Sequence, residues 1–310
     1  MLIFLFRRDS TSKALWDEHE ISISLRNFVI NELGDKSEAV LAAIDADDAA
    51  KIKAAVPSTL SKSSVGALLL VSVWRGSLNA VRYLLNDRKA NPNATDPLGR
   101  SGLHLAAING RIKISEVLLA AGAAVDCFDK HHLATPLFCA AVADSPAGIR
   151  LLLDRGADIN AGLSEYGVSA LHCAVRANNI DNVRVLLELG AVPNSVQLFS
   201  ETPLHTAASM GYEDCTKLLV EHGACLEVLM GSMKMTALHL AAQDGNMESV
   251  QCLVSGGANI DARNARGQSA LHLAALAQSP ETVEVLLKSG KTRSPVSISP
   301  PRLFEKWSWR

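Results

Sequence analysis

The stretch TALHLAAQDGNMESVQCLVSGGANIDA, residues 236–262, decides how the rest of the chain is read. It opens on a turn signal, Thr236-Ala237-Leu238-His239. A short apolar helix follows at Leu240-Ala241-Ala242, Gly245 punctuates it, and a second helix runs from about Met247 to Ser255. Gly256-Gly257-Ala258 closes the unit and Asn259-Ile260-Asp261 leads out. Two short helices cannot bury their own apolar faces, so the stretch requires neighbours of its own kind.

The neighbours recur at a fixed period. The opening position falls at Ala67, Ser101, Thr135, Ser169, Thr202, Thr236 and Ser269, in steps of 34, 34, 34, 33, 34 and 33. From Ser101 onward each opening begins with Ser or Thr and has Leu two residues later. His closes the tetrapeptide at His104, His172, His205, His239 and His272. Leu70 and Phe138 take that place in two units. The second helices carry aliphatic pairs such as Leu118-Leu119, Leu186-Leu187 and Leu253-Val254, and Gly-Ala closes most of them. The hydroxyl caps the first helix, and Pro136 and Pro203 sit where a missing N–H costs nothing. Gly110, Gly211 and Gly245 permit a left-handed turn between helices. Asn178 fills the same slot.

These residues resemble the ankyrin repeat: a period near 33, a T-P-L-H opening, helix-turn-helix, then a β-turn loop. The resemblance covers residues 67–290, and 38–66 less completely. It implies an all-α repeat protein, a curved ankyrin-type α-solenoid of helix-turn-helix units with projecting β-turn loops. It also implies that the repeated histidine bonds to backbone in the neighbouring loop.

From each opening to the Asn, Asp or Glu that leaves the unit is 25 residues in five units running, Ser101 to Asp126 through Thr236 to Asp261. All variation in period therefore falls in the loop. Helices must keep register with their neighbours and loops need not; loops are also where binding concentrates.

The flanks read differently. Residues 1–37 are an extension, poorly ordered or one helix near Glu20–Leu33. Residues 38–66 are a degenerate capping repeat with N-cap residues among Asp45–Asp48, and 67–290 are seven ankyrin-like repeats. Residues 291–310 are a disordered, basic, Pro/Ser-containing tail with Trp307 and Trp309. Lys291 stands where Ala should follow Gly290, as if a longer array had been truncated.

Composition excludes several classes of function. The chain has 310 residues and a net charge of −2, so no basic field points to nucleic acid. No run approaches the roughly 20 apolar residues of a membrane span. The six cysteines show no CxxC and no zinc-type spacing; they read as small buried residues of a reducing, cytoplasmic setting. No phosphate loop, dinucleotide fingerprint or nucleophile–base set is present, so no catalysis and no cofactor are expected.

What remains is binding of a protein partner of unknown identity. Ankyrin-like arrays grip partners with loop tips and the inner helix face, which makes Pro97, Arg100, Phe128, Lys130, His131, Tyr166, Phe199, Met230, Lys234, Arg263 and Arg266 the candidates. Tyr, Phe, Met and Arg are types enriched at interface centres. A second reading rests on the run from Tyr166 to Leu287, which resembles the N-terminal arrays of insect TRPA-type cation channels of the pyrexia-like branch. On that reading this chain is a cytosolic portion of such a channel. A third, an adaptor recruiting substrates to ubiquitin ligases, implies a C-terminal docking box that the Pro/Ser tail does not resemble.

Overall fold

A computed structural model describes residues 18–130, 133–161 and 167–291. Of the region expected as a disordered tail (291–310), Lys291 is the last residue of a helix and 292–310 lie outside the described residues, as does the first part of the extension. The described chain is a stack of antiparallel helix pairs. The N-terminal elements are α1 (Glu18–Leu33), α2 (Ser37–Asp45) and α3 (Ala49–Ala55). The pairs that follow are α4 (Lys62–Arg75) with α5 (Leu78–Asn86), α6 (Gly102–Ile108) with α7 (Ile112–Ala120), and α8 (Pro136–Val142) with α9 (Pro146–Asp154). Then come α10 (Ala170–Arg176) with α11 (Ile180–Glu188), α12 (Pro203–Met210) with α13 (Glu213–Glu221), α14 (Ala237–Gln243) with α15 (Met247–Ser255), and α16 (Ala270–Leu276) with α17 (Pro280–Lys291). First helices pack on first helices and second on second, which makes an α-solenoid.

The core follows from the repeat. Ala106, Ala140, Ala174, Ala207, Ala241 and Ala274 are completely buried where inner helices meet. Of each aliphatic pair the first member is core (Leu118, Leu186 and Leu253 are 0% exposed), while the second is half-buried or exposed except at Leu85 and Leu187, which are also buried. Burying each such leucine contributes about 1.5–3 kcal/mol.

At the N-terminal end α1 lays Ile21, Leu25 and Val29 against α4, a stripe at i, i+4 and i+8, with Ile23 outside it. The opening expected at Ala67 is corrected by the structure. Ala67 lies inside α4, whose cap is Ser61, with its Oγ accepting from the Ser64 amide at 2.9 Å. Ala67 has no hydroxyl to cap a helix, whereas Ser61 does. Asp48 caps α3 through the Ala50 and Lys51 amides. Asp47 reaches forward, accepting from the Ser77 hydroxyl at 2.6 Å and the Asn79 amide at 2.9 Å.

The turn between paired helices uses a left-handed residue at Gly110, Asn178, Gly211, Gly245 and also Gln278. The unit opening at Thr135 departs from this. Ala143 after α8 is extended (φ −73°, ψ 148°). The C-terminal carbonyls of α8 are instead met by the next unit. The Asn182 amide donates to Ala141 O at 3.1 Å and Ala143 O at 2.6 Å, and the Asn179 amide to Val142 O at 3.1 Å. Asn182 is fully buried. Asn182→Ala is expected to lower the unfolding free energy by about 1–3 kcal/mol, because it strands buried carbonyls. Chemical denaturation of the variant checks this; a loss below about 0.5 kcal/mol would show that the carbonyls find other partners.

Candidate partner-binding surface

The loops between pairs are stapled at three levels. First, each hydroxyl–histidine pair forms a reciprocal cap. At Thr236 the backbone N–H and the hydroxyl both donate to His239 Nδ1, at 3.3 and 2.7 Å, and the Thr236 Oγ1 accepts from the His239 amide at 3.4 Å. With Nδ1 accepting, Nε2 carries the proton. It donates across to the next loop: His104 to Ala134 O at 2.9 Å, His205 to Met235 O at 3.2 Å, His239 to Gln268 O at 3.1 Å. Of the five histidines at the repeated position, His104, His172, His205 and His239 thus brace the following loop, in keeping with the sequence reading.

Second, the residue 25 positions after each opening, read from sequence as a punctuation mark, has a definite job. Its side chain accepts a backbone N–H from the following loop: Asp126 from Asp158 (3.0 Å), Asn160 from Val192 (3.1 Å), Asn194 from Cys225 (2.6 Å) and Glu227 from Asn259 (2.8 Å), and Asn93, ahead of the first such opening, does the same from Ala124 (2.7 Å). Third, the tips bond to one another: Lys130 N–H to Leu98 O (2.9 Å), Gly231 N–H to Phe199 O (2.7 Å) and Ala265 N–H to Met233 O (2.8 Å). Each tip is a small hairpin closed by pairs such as Gln197–Glu201, Met230–Met235 and Asn264–Gln268. The variable residue of the period lies inside these hairpins, since Met230–Met235 is one residue longer than Asn264–Gln268.

This ladder brings Phe199, Met230 and Arg266 together. They line a groove of about 710 Å³ with Met233, Met235, Leu240, Leu273 and Leu276, between the tips and the inner helices α14 and α16. Phe199 is 76% exposed and left-handed (φ 60°), a strained conformation for a bulky residue that presents its ring at the tip. Leu276 is 63% exposed. Met233, Met235 and Leu276 were not among the candidates read from the sequence; the exposure of Leu276 depends on which helix covers it.

The other candidates lie apart. Lys234 and Arg263 are exposed beside the groove, with the Arg263 guanidinium donating to Gly267 O at 3.1 Å. Pro97, Phe128 and Lys130 are exposed on loops further up the stack. Arg100 is corrected: its side chain is buried, donating to the Asp96 carboxylate from Nε at 2.7 Å, so it fastens its own hairpin and offers nothing to a partner. A guanidinium beside a carboxylate four residues earlier is held by that charge rather than by solvent. His131 and Tyr166 lie outside the described residues.

The cysteines also need correction. Cys139, Cys173 and Cys215 are buried, Cys127 and Cys252 are half-buried, and Cys225 is exposed, because its loop backbone turns inward to Asn194. Burial pushes the Cys173 thiol up to about 12 and Cys215 to about 11, so both stay protonated and unreactive. Among the described residues no group of three or more His, Cys, Asp or Glu is placed to hold a metal ion, and no helix is long and apolar enough to cross a membrane.

Helix pairs with a stapled loop ladder and an open inner groove define a repeat solenoid of the interaction type. The family description "Ankyrin repeats (3 copies)" matches residues 69–162, 135–197, 162–230 and 225–294, and the chain belongs to the ankyrin repeat family. Ankyrin repeats in general mediate protein–protein interaction. The chain is 42% identical over 203 residues to the transient receptor potential channel pyrexia of Drosophila melanogaster, 66% of this chain and 21% of that protein. It is 44% identical over 145 residues to human ankyrin repeat and SOCS box protein 18, 46% of this chain and 30% of that protein. The chain therefore spans well under half the length of these relatives. The crystal structure of the human ASB11 ankyrin repeat domain superposes with a TM-score of 0.64 at 31% identity, covering 74% of this chain and 99% of that one.

Burial is the first cause that lowers the pKa of His104, His172, His205 and His239, with His172 brought from 6.5 to about 4. The unfolded chain binds these protons more readily than the folded one. The stability is therefore whole above about pH 6.5 and declines as pH falls toward 4. At pH 5 the His172 contribution alone amounts to about 2 kcal/mol of lost stability. His172→Phe copies the residue native at Phe138. Its melting temperature is expected to fall less between pH 7.5 and 5 than that of the unmutated chain, and an equal fall would refute the assignment.

Proposed function

We propose that this protein is an interaction scaffold that grips a protein partner through its inner helix face and loop tips and performs no catalysis. The groove under Phe199 carries the reading. It joins the exposed Phe199, adaptable methionine side chains and the exposed Leu276 beside inner helices α14 and α16. Arg266 lines it, and the exposed Lys234 and Arg263 are next in sequence to its lining residues Met233, Met235 and Asn264, which suits a segment with an apolar face and acidic flank. Pro97, Phe128 and Lys130 supply outlying contacts. The free thiols accord with a reducing, cytoplasmic location. Peptides selected by display against the intact chain are expected to lose about 10-fold or more affinity on Phe199→Ala or Met233→Ala, and little on Phe128→Ala. Affinities unchanged by the two groove substitutions would sink the reading.

A second reading is supported by the 42% identity to pyrexia: the chain is the cytosolic ankyrin portion of a TRPA-like cation channel, held at the inner face of a membrane. Transcript sequence beyond codon 290 tests it. Further repeats followed by apolar spans of about 20 residues would establish it, and a stop after the Pro/Ser tail in every transcript would rule it out.

A further inference from the structure

Three of the chain's six methionines, Met230, Met233 and Met235, fall within one hairpin, and all three line the groove. Main-chain bonds close that hairpin. Met230 N–H donates to Met235 O at 2.8 Å, Met235 N–H to Met230 O at 3.0 Å, and Ala265 N–H to Met233 O at 2.8 Å. His205 Nε2 adds a bond to Met235 O at 3.2 Å. The three sulfurs differ in access. Met230 and Met233 are half-buried, whereas Met235 is 6% exposed and its Sδ accepts from the Asn264 side-chain amide at 3.5 Å. A chemical change at the sulfur of Met230 or Met233 therefore alters the lining of the groove and leaves the bonds that shape it.

A thioether reacts with peroxides without first losing a proton, so access governs its rate. Thiols compete only as thiolates, and burial holds Cys139, Cys173 and Cys215 protonated. With hydrogen peroxide the sulfur lone pair takes one oxygen, the O–O bond breaks, and the other oxygen leaves as water with both hydrogens. Sulfur loses two electrons and the peroxide gains them. The product, a sulfoxide, is polar where the thioether was apolar. An apolar segment docking over it must strip water from the new oxygen, which weakens binding. We propose that Met230 and Met233 are sulfoxidation sites for oxidants of the peroxide class, and that their oxidation releases the partner from the groove while the repeats stay folded. The release rests on the reading of this groove as the partner site.

Hydrogen peroxide applied to the full chain carrying Cys225→Ser, which removes the exposed thiol, tests this. Peptide mass mapping is expected to find Met230 and Met233 oxidised about 3-fold or more faster than the buried Met235. A display-selected peptide whose affinity depends on Phe199 should then bind about 10-fold more weakly, with the melting temperature moving by less than about 3 °C. Methionine sulfoxide reductases should restore the affinity. Met210→Leu with Met247→Leu, half-buried positions outside the groove lining, should lose affinity on oxidation as the parent chain does. Met230→Leu with Met233→Leu sets its own starting affinity, and peroxide should leave that value where it stands. Met235 oxidised as fast as Met233, an affinity kept after Met230 and Met233 are fully oxidised, or a loss that the reductases do not reverse would overturn the proposal. If no selected peptide responds to Phe199→Ala, the groove reading falls and this proposal with it; a Phe199-dependent peptide indifferent to oxidation overturns this proposal alone.

Discussion

The contact on which everything else depends is the approach of one inner helix to the next across alanine. Ala106, Ala140, Ala174, Ala207, Ala241 and Ala274 show no exposed surface, and in a close-packed interior a larger side chain there would have to displace its neighbours. The leucines of the outer helices then fill the wedge behind. Because each pair touches only its neighbours, stability is a sum of local terms and interfaces. Long-range order comes from repetition rather than from a single central core.

The polar groups convert that stack into a binding surface. A histidine, a carboxylate or carboxamide, and a tip amide each tie one loop to the next, so the tips keep common register even where the hairpins differ by a residue. The groove is a product of that alignment. Phe199, the Met230–Met235 hairpin and Arg266 belong to three successive loops, and nothing local to any one of them holds the others in place. The buried, neutral histidines make the same ladder sensitive to acid.

Departures from the repeat show how strictly these rules are kept. Where the usual left-handed turn is missing after α8, the carbonyls of that helix are satisfied by Asn179 and Asn182 of the following pair. Where the hydroxyl cap is missing at Ala67, the helix starts earlier, at Ser61. In each case a backbone requirement is met from the nearest side chain able to meet it.

The sequence by itself determined the fold class, the number and spacing of helix pairs from Ser101 onward and the histidine brace, because each unit repeats the same short-range solution. It also located the constant residue 25 positions into each unit, without its purpose. It did not separate core from rim within the aliphatic pairs. Nor did it reveal that Arg100 is spent on Asp96, that Leu276 is exposed while its neighbour Leu273 is buried, or that Phe199 and Arg266 share a groove. Those facts depend on which neighbour covers each side chain. Coverage is a property of stacked units, and no single repeat encodes it.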